Sequence, residues 1–559
     1  MQRALLCCCL LPFTLIPASA APPERVTAAD IHPERELLIT DPVVVDSPLA
    51  QYPGQWSFGT LMEELFGEDG APEAVLRWLL CYEFDSKVGR IPLLGEEVDA
   101  QGLPLAKWVQ WVAPALDNTE SAQNSRGDRE WPSDIPRRAQ MRQFIEAWQA
   151  RDGYDPCYGP WRPNMANAPF RLLAIVNRMD LGAASLVDAQ NEAHSQRERT
   201  AARAQKAVEA KLAKDHMSIV VEPEPEPAVP MPSGYGGGRF ILPQVAKAKK
   251  KETPTDFGEG RLVFGAVDGE GKPLEGGWTV ILEYKLEPVH RAVPRQGERV
   301  VSAENWAAAW HWLGTMPVSD PQYVASLARL TKVFTHRPRN EKGEISLSTR
   351  PSLGQLRSSE GVFGSGREFR QFDYRNGALV PALLPMTPAP SFMDASHRED
   401  ARFIGTFLND LEPLILTGMH SLPEKVESRK TIFLVQGATA VIPDGEKDFH
   451  WEPVPRLTRE ARRLFSMNTC NGCHAGDTGC PDGMHVHPRA DGAEAQLSSF
   501  LRRDGQPNAF PDPGWRNEAI RLTEMEDRAA ILAAFLEPTD RRRVDSLERL
   551  LRERVRRTH

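Results

Sequence analysis

The chain has 559 residues, a formal net charge of −9, 41% hydrophobic and 26% charged residues, which places it among ordinary globular proteins. The acidic balance excludes nucleic acid as a general partner, because a phosphate-binding surface needs a positive excess, and only the last twenty residues carry one. No apolar stretch reaches the roughly 20 residues of a membrane-spanning helix, so no membrane span is expected.

Met1-Gln2-Arg3, the apolar run from Ala4 to Ile16 and the closing Ala18-Ser19-Ala20 predict a secretory signal over residues 1–20. The mature protein is then expected in the periplasm or outside the cell. Cleavage would remove Cys7, Cys8 and Cys9 and leave Cys81, Cys157, Cys470, Cys473 and Cys480. An oxidising compartment permits a disulfide between Cys81 and Cys157.

Residues 21–186 read as the first part of an α+β region. Leu37, Leu38, Ile39 and Val43 to Val45 favour extended chain between Glu36 and Val45. Ser57 can cap a helix carrying Phe58, Leu61, Met62 and Leu65, and Pro72 can start another carrying Val75, Trp78 and Leu79. Phe170 to Val176 is a nearly continuous apolar run of strand formers, as in a buried central strand. Residues 187–257 break the composition with a charged, alanine-rich stretch, Glu222-Pro-Glu-Pro-Glu-Pro227, Gly234-Tyr-Gly-Gly-Gly238 and Lys249 to Lys251. They predict an exposed insertion or linker that cannot bury enough apolar surface to order itself.

The α+β region resumes over residues 258–450. Arg261 to Val267 and Trp278 to Leu286 read as strands around a turn at Asp268-Gly269. In the second, Val280, Leu282, Tyr284 and Leu286 alternate with Thr279, Glu283 and Lys285, the pattern of a half-buried antiparallel strand. Ser302 can cap a helix with Trp306, Trp310 and Leu313 on one face; helices over Tyr323 to Val333 and Arg402 to Leu416 and a strand over Ile432 to Val435 complete it. Residues 541–559 predict a basic C-terminal helix.

Residues 451–540 carry the chemistry. Cys470-Asn-Gly-Cys-His474 has the spacing by which two thiols add to the two vinyl groups of haem while the next histidine reaches the iron. Upstream, Leu457, Ala461, Leu464 and Phe465 form one apolar helix face with Thr458 as cap. Downstream, Thr523 and Glu526 have capping-box spacing before Met525, Ala529, Leu532 and Leu536. Helix, Cys-x-x-Cys-His, loop-rich middle and a closing helix ending Ala533-Ala-Phe-Leu536 together resemble the cytochrome c family over about residues 455–538. The resemblance implies a small all-α domain with one covalent haem c, Cys470 and Cys473 as thioether attachments, His474 as proximal ligand, and electron transfer with a redox partner protein. In that family a methionine usually precedes the last helix. Met525 and Met484 are candidates here, and His485 and His487 are further ones for the distal position, which could equally be open.

Two other readings stand beside it. The haem could serve a haem-dependent oxidoreductase whose substrate site lies in the N-terminal region. Alternatively, Cys470, Cys473, Cys480 and either His474 or His485 could hold structural zinc, or Cys470 and Cys473 form a disulfide pair, in a binding or surface-interaction protein. Over the wider chain, Ala174-Ile-Val-Asn-Arg-Met-Asp-Leu181, Gly258-Glu-Gly-Arg-Leu-Val-Phe-Gly265, Val280-Ile-Leu-Glu-Tyr284 and Asn468-Thr-Cys-Asn-Gly-Cys-His474 resemble a family of large secreted bacterial proteins of unknown function. That resemblance implies architecture and compartment only.

Overall fold

The computed structural model describes residues 25–72, 74–75, 134–155, 163–190, 203, 206–207, 210, 217–220, 257–274, 276–287, 290–293, 297–300, 302–337, 351–362, 366–382, 408–416, 425–428, 431–434, 440–441, 457–474, 478, 480, 483–502, 523–537 and 540–553. The expected secretory signal, Cys81, Cys157 and most of the 187–257 insertion lie outside them.

The architecture is mixed α+β. Eight antiparallel strands form one sheet: β1 (Leu38–Ile39), β2 (Phe170–Arg178), β3 (Glu259–Ala266), β4 (Trp278–Lys285), β5 (Leu353–Val362), β6 (Gly366–Arg375) and β7 (Ala378–Ala382) in spatial order, with β8 (Ala440–Val441) also pairing β6. The register sorts the side chains. Ile175, Leu262, Leu282, Leu356 and Phe372 lie opposite one another across β2 to β6, and all five are buried. The neighbouring row runs Val176, Arg261, Glu283, Gln355, and because side chains alternate along a strand it faces the other way.

The apolar face is covered by helices whose starts follow from their capping residues. Ser57 accepts from Thr60 N at the start of α1 (Phe58–Phe66), and Asp320 accepts from Gln322 N at the start of α4 (Pro321–Thr335). Helix α2 is Asp134–Arg151, and α3, Ala303–Gly314, starts at Ser302. Phe58 of α1 meets Phe170 and Phe264 with ring centroids 4.3 and 5.5 Å away. Phe144 of α2 meets Trp278 at 5.0 Å and Phe334 of α4 meets Tyr284 at 5.7 Å. Burying each such side chain is worth roughly 1.5–3 kcal/mol, and these layers form the core.

Two local expectations fail for identifiable reasons. Between Glu36 and Val45 the extended chain shrinks to the two residues of β1, because Asp41 accepts from Val43 N and Pro42 occupies the first helical position, starting a one-turn helix over Pro42–Val45. Thr523 and Glu526 make no capping box. The Thr523 hydroxyl instead donates to Asp527 at 3.1 Å. Within the insertion, Met217–Val220 forms a strand paired antiparallel with Lys425–Ser428, which also pairs Thr431–Leu434 in a three-stranded sheet.

The other sheet face is closed by the C-terminal segment: α5 (Arg459–Met467), α6 (Cys470–Cys473), a loop over residues 483–502, and α7 (Glu524–Phe535). The loop doubles back so that His487 N donates to Gln496 O and Ser498 N to His485 O, both at 2.9 Å. It is pinned to the sheet by Arg489, which gives Asp46 two bonds of 2.8 and 2.7 Å and reaches Leu172 O at 3.1 Å. At Gly265 of β3 an added Cβ would stand 3.1 Å from Pro488, so loop and strand approach closely. Arg25 bonds Glu537 beyond α7 at 3.0 Å. Arg543 of α8 (Asp540–Glu553) donates to Phe535 O at 3.0 Å and to Glu304 of α3. The described helices and loop of residues 451–540 thus lie on the sheet.

Candidate cofactor site

The Cys-x-x-Cys-His motif is presented by the short helix α6. Thr469 caps it by accepting from Gly472 N at 3.1 Å, and Cys473 N and His474 N donate to Thr469 O and Cys470 O at 2.8 and 2.9 Å. One helical turn separates the two cysteines, which places them on one side. Gly472 has no room for a side chain, since a Cβ there would stand 2.4 Å from the Ser466 carbonyl oxygen.

Between this helix, the 483–502 loop and the sheet lies a cavity of about 130 Å³. One wall carries Cys470, Cys473, His474, Met484 and His485, and the opposite wall is the second sheet face, with Val176, Val263 and Ile281 beside Arg178, Arg261, Glu283 and Arg357. Arg528 of α7 and Phe500 close the remaining sides.

His474 is held in a defined state. Its Nδ1 lies 2.9 Å from the Gly483 carbonyl, and a carbonyl only accepts, so Nδ1 carries the proton and the lone pair stays on Nε2. That is the orientation a metal-bound imidazole requires. The ring packs against Phe369 at 4.3 Å and His485 at 4.4 Å, and His485 against Phe500 at 5.1 Å. Burial lowers the His474 pKa to about 4, with Arg367 and Arg357 adding repulsion against the raising effect of the hydrogen bond that Nδ1 donates to Gly483 O. Burial and the neighbouring His474 hold His485 well below the ordinary histidine value. Both imidazoles are neutral at pH 7, as ligands must be.

His485 bridges two groups: Nδ1 lies 2.8 Å from the Ser498 hydroxyl and Nε2 lies 3.5 Å from Cys473 Sγ. His474, Cys480 and His485 place one donor atom each within 4.8 Å of one another. Cys470, Cys473 and Cys480 are all buried thiols. Of the distal candidates, the structure brings Met484 and His485 to the cavity, the Met484 sulfur lying against Gly277. Met525 is buried in α7 and, like His487, is not among the residues facing the cavity.

The charged floor was not recognised in the sequence. Glu283, read as the solvent side of an alternating strand, is fully buried, with Oε1 3.2 Å from Arg261 and Oε2 3.7 Å from Arg357. Burial raises its pKa, but Arg261, Arg357 and the hydrogen bond from Gln355 outweigh that and hold the carboxyl below the ordinary value. Arg178 is locked on Asp180 at 2.9 Å and Arg528 on Glu524 at 2.7 Å. The available signal was Arg261, Glu283 and Arg357 recurring at the polar positions of three strands that pair with one another.

No protein-family model matches this chain, and no curated protein or solved structure is significantly similar to it. Among the described residues no helix is long and apolar enough to cross a membrane.

Proposed function

We propose that the protein is an exported c-type haem protein that transfers electrons to or from a redox partner protein. The observation that carries this reading is the meeting of Cys470, Cys473 and a Nδ1-protonated His474 on the wall of one cavity. The donor set suits the group: two thiols for the thioether links, one imidazole protonated at Nδ1, and apolar side chains on the sheet wall against which a macrocycle can lie. Bound there, haem would supply one-electron chemistry. The chain's own residues orient the proximal imidazole through Gly483 and limit water through Phe369, Phe500 and Val486. Met484 lines the cavity and Met525 does not, but Met484 stands on the wall that carries His474, so no distal ligand is assigned across the cavity. His485 packs beside His474 rather than across the cavity from it.

A second reading has its own observation. His474, Cys480 and His485 bring their donor atoms within 4.8 Å of one another, with Cys473 Sγ 3.5 Å from His485, a set from which a small ion such as zinc could draw ligands. One experiment separates the two. Full-length protein from a host competent in c-type maturation is expected to carry one added haem that survives denaturation, to give a pyridine haemochrome, and to lose both with Cys470→Ser and Cys473→Ser. Cys480→Ser should leave the haem in place. An unmodified mass with one stoichiometric zinc, lost on Cys480→Ser, overturns the haem reading and establishes the second.

A further inference from the structure

The motif accounts for one wall of the cavity, whereas the opposite wall is built by strands more than a hundred residues away in sequence. That wall is unusual for a sheet face that the chain covers, because it carries guanidinium groups. Arg178 spends Nε and Nη2 on Asp180, and Arg528 spends Nε and Nη2 on Glu524. Arg261 spends its groups on Glu259 and Glu283. Arg357 differs. Its Nε lies 3.3 Å from Gln371 and 3.7 Å from the already shared Glu283, and its two Nη groups have no hydrogen-bond partner among the described residues while the side chain lines the cavity.

Four N–H donors of a permanently charged group therefore belong to a side chain that lines the same cavity as Cys470. Leaving such a group unpaired is costly, and planar, bidentate recognition of a carboxylate is what a guanidinium does best. Around Arg357 the cavity carries the apolar side chains of Ile281, Val263 and Phe369 beside the polar Ser358, Ser359 and Arg370. The space thus suits an amphiphile with a flat apolar body and a carboxylate-bearing edge. Glu283 does not repel such an edge decisively, because its charge is already shared between two arginines.

We propose that the sheet of the N-terminal region supplies the second half of the cofactor site, with Arg357, flanked by Arg178 and Arg528, taking the carboxylates of the bound group. This rests on the haem reading above, whose propionates are the carboxylates in question. A free small carboxylate is the other source of the same chemistry, and the test separates them.

Full-length protein made without c-type maturation is titrated with iron mesoporphyrin, whose ethyl groups cannot form thioethers, and with its dimethyl ester, following the Soret band and tryptophan fluorescence. Glutarate serves as the free dicarboxylate, read by thermal stabilisation. The diacid is expected to bind at least about tenfold more tightly than the diester, as one or more charge-assisted bonds imply. Arg357→Gln should remove that preference while leaving diester affinity unchanged. Equal binding of diacid and diester by the unaltered protein overturns the proposal and leaves the haem reading intact, whatever the variant does. Binding of neither porphyrin overturns both. Stabilisation by glutarate without porphyrin binding assigns the arginines to a free carboxylate and overturns the cofactor assignment.

Discussion

Replacing Glu283 by Gln tests whether the cavity floor is the dry, charged layer described above. The substitution keeps the side chain's volume and its contact with Gln355, and removes only the charge that lies 3.2 Å from Arg261 and 3.7 Å from Arg357. Breaking a buried ion pair by deleting one partner costs about 3–5 kcal/mol, whereas an exposed pair is worth about 0–1. Arg261 keeps Glu259 at 2.6 Å, so the loss falls mainly on Arg357, and we expect about 3 kcal/mol at pH 7 from urea unfolding. The pH dependence has a definite sign. The folded carboxyl lies below its ordinary 4.5, so its contribution is complete above that value and is lost as pH falls towards the folded one. Each unit in that window removes about 1.4 kcal/mol. The gap between wild type and Glu283→Gln should accordingly narrow as the pH falls below 4.5 towards the folded value. A cost below about 1 kcal/mol at pH 7, or a gap that stays constant on acidification, would mean that water screens the floor as it does a surface.

Gly472→Ala should displace α6, because the new Cβ meets the Ser466 carbonyl oxygen at 2.4 Å; covalent haem per chain, read by mass spectrometry, is expected to fall while Gly492→Ala, which has open space but a φ of +69°, should affect only local stability. Arg489→Ala leaves Asp46 without its bidentate partner and unpins the 483–502 loop from Leu172. A loss of about 3–5 kcal/mol is expected, with faster hydrogen exchange at His487 and Ser498, and unchanged exchange there would count against the loop being held by this arginine.

What the sequence disclosed and what it hid divide along a physical line. Local signals were legible: Ser57, Ser302 and Thr458 cap the helices expected of them, and the apolar run from Phe170 lies inside the sheet as β2. The motif residues Cys470, Cys473 and His474 were legible because spacing alone defines them. Hidden were the relations that only the register creates. Alternation in β4 separates two faces but cannot say that both are covered, so Glu283 passed for a solvent-facing residue although Arg261 and Arg357 sit beside it on neighbouring strands. For the same reason residues 451–540 read as a body of their own. Helix patterns report which side chains are buried, not whether the covering surface comes from within the segment. Here Gly265 and Leu172 of the sheet receive Pro488 and Arg489, and the motif shares its cavity with six strands. A fragment spanning residues 451–559 should therefore fail to fold alone: without the sheet, Val486, Phe500 and Leu501, buried in the full chain, lose their cover, at roughly 1.5–3 kcal/mol each. Exposed losses of that size match the whole stability of a small domain. Proton NMR of the fragment is expected to show poor dispersion, and adding the haem should not rescue it. A fragment with dispersed signals and cooperative thermal unfolding would show that the segment's own helices suffice, and the shared site would then be a docking of two independent units rather than one core.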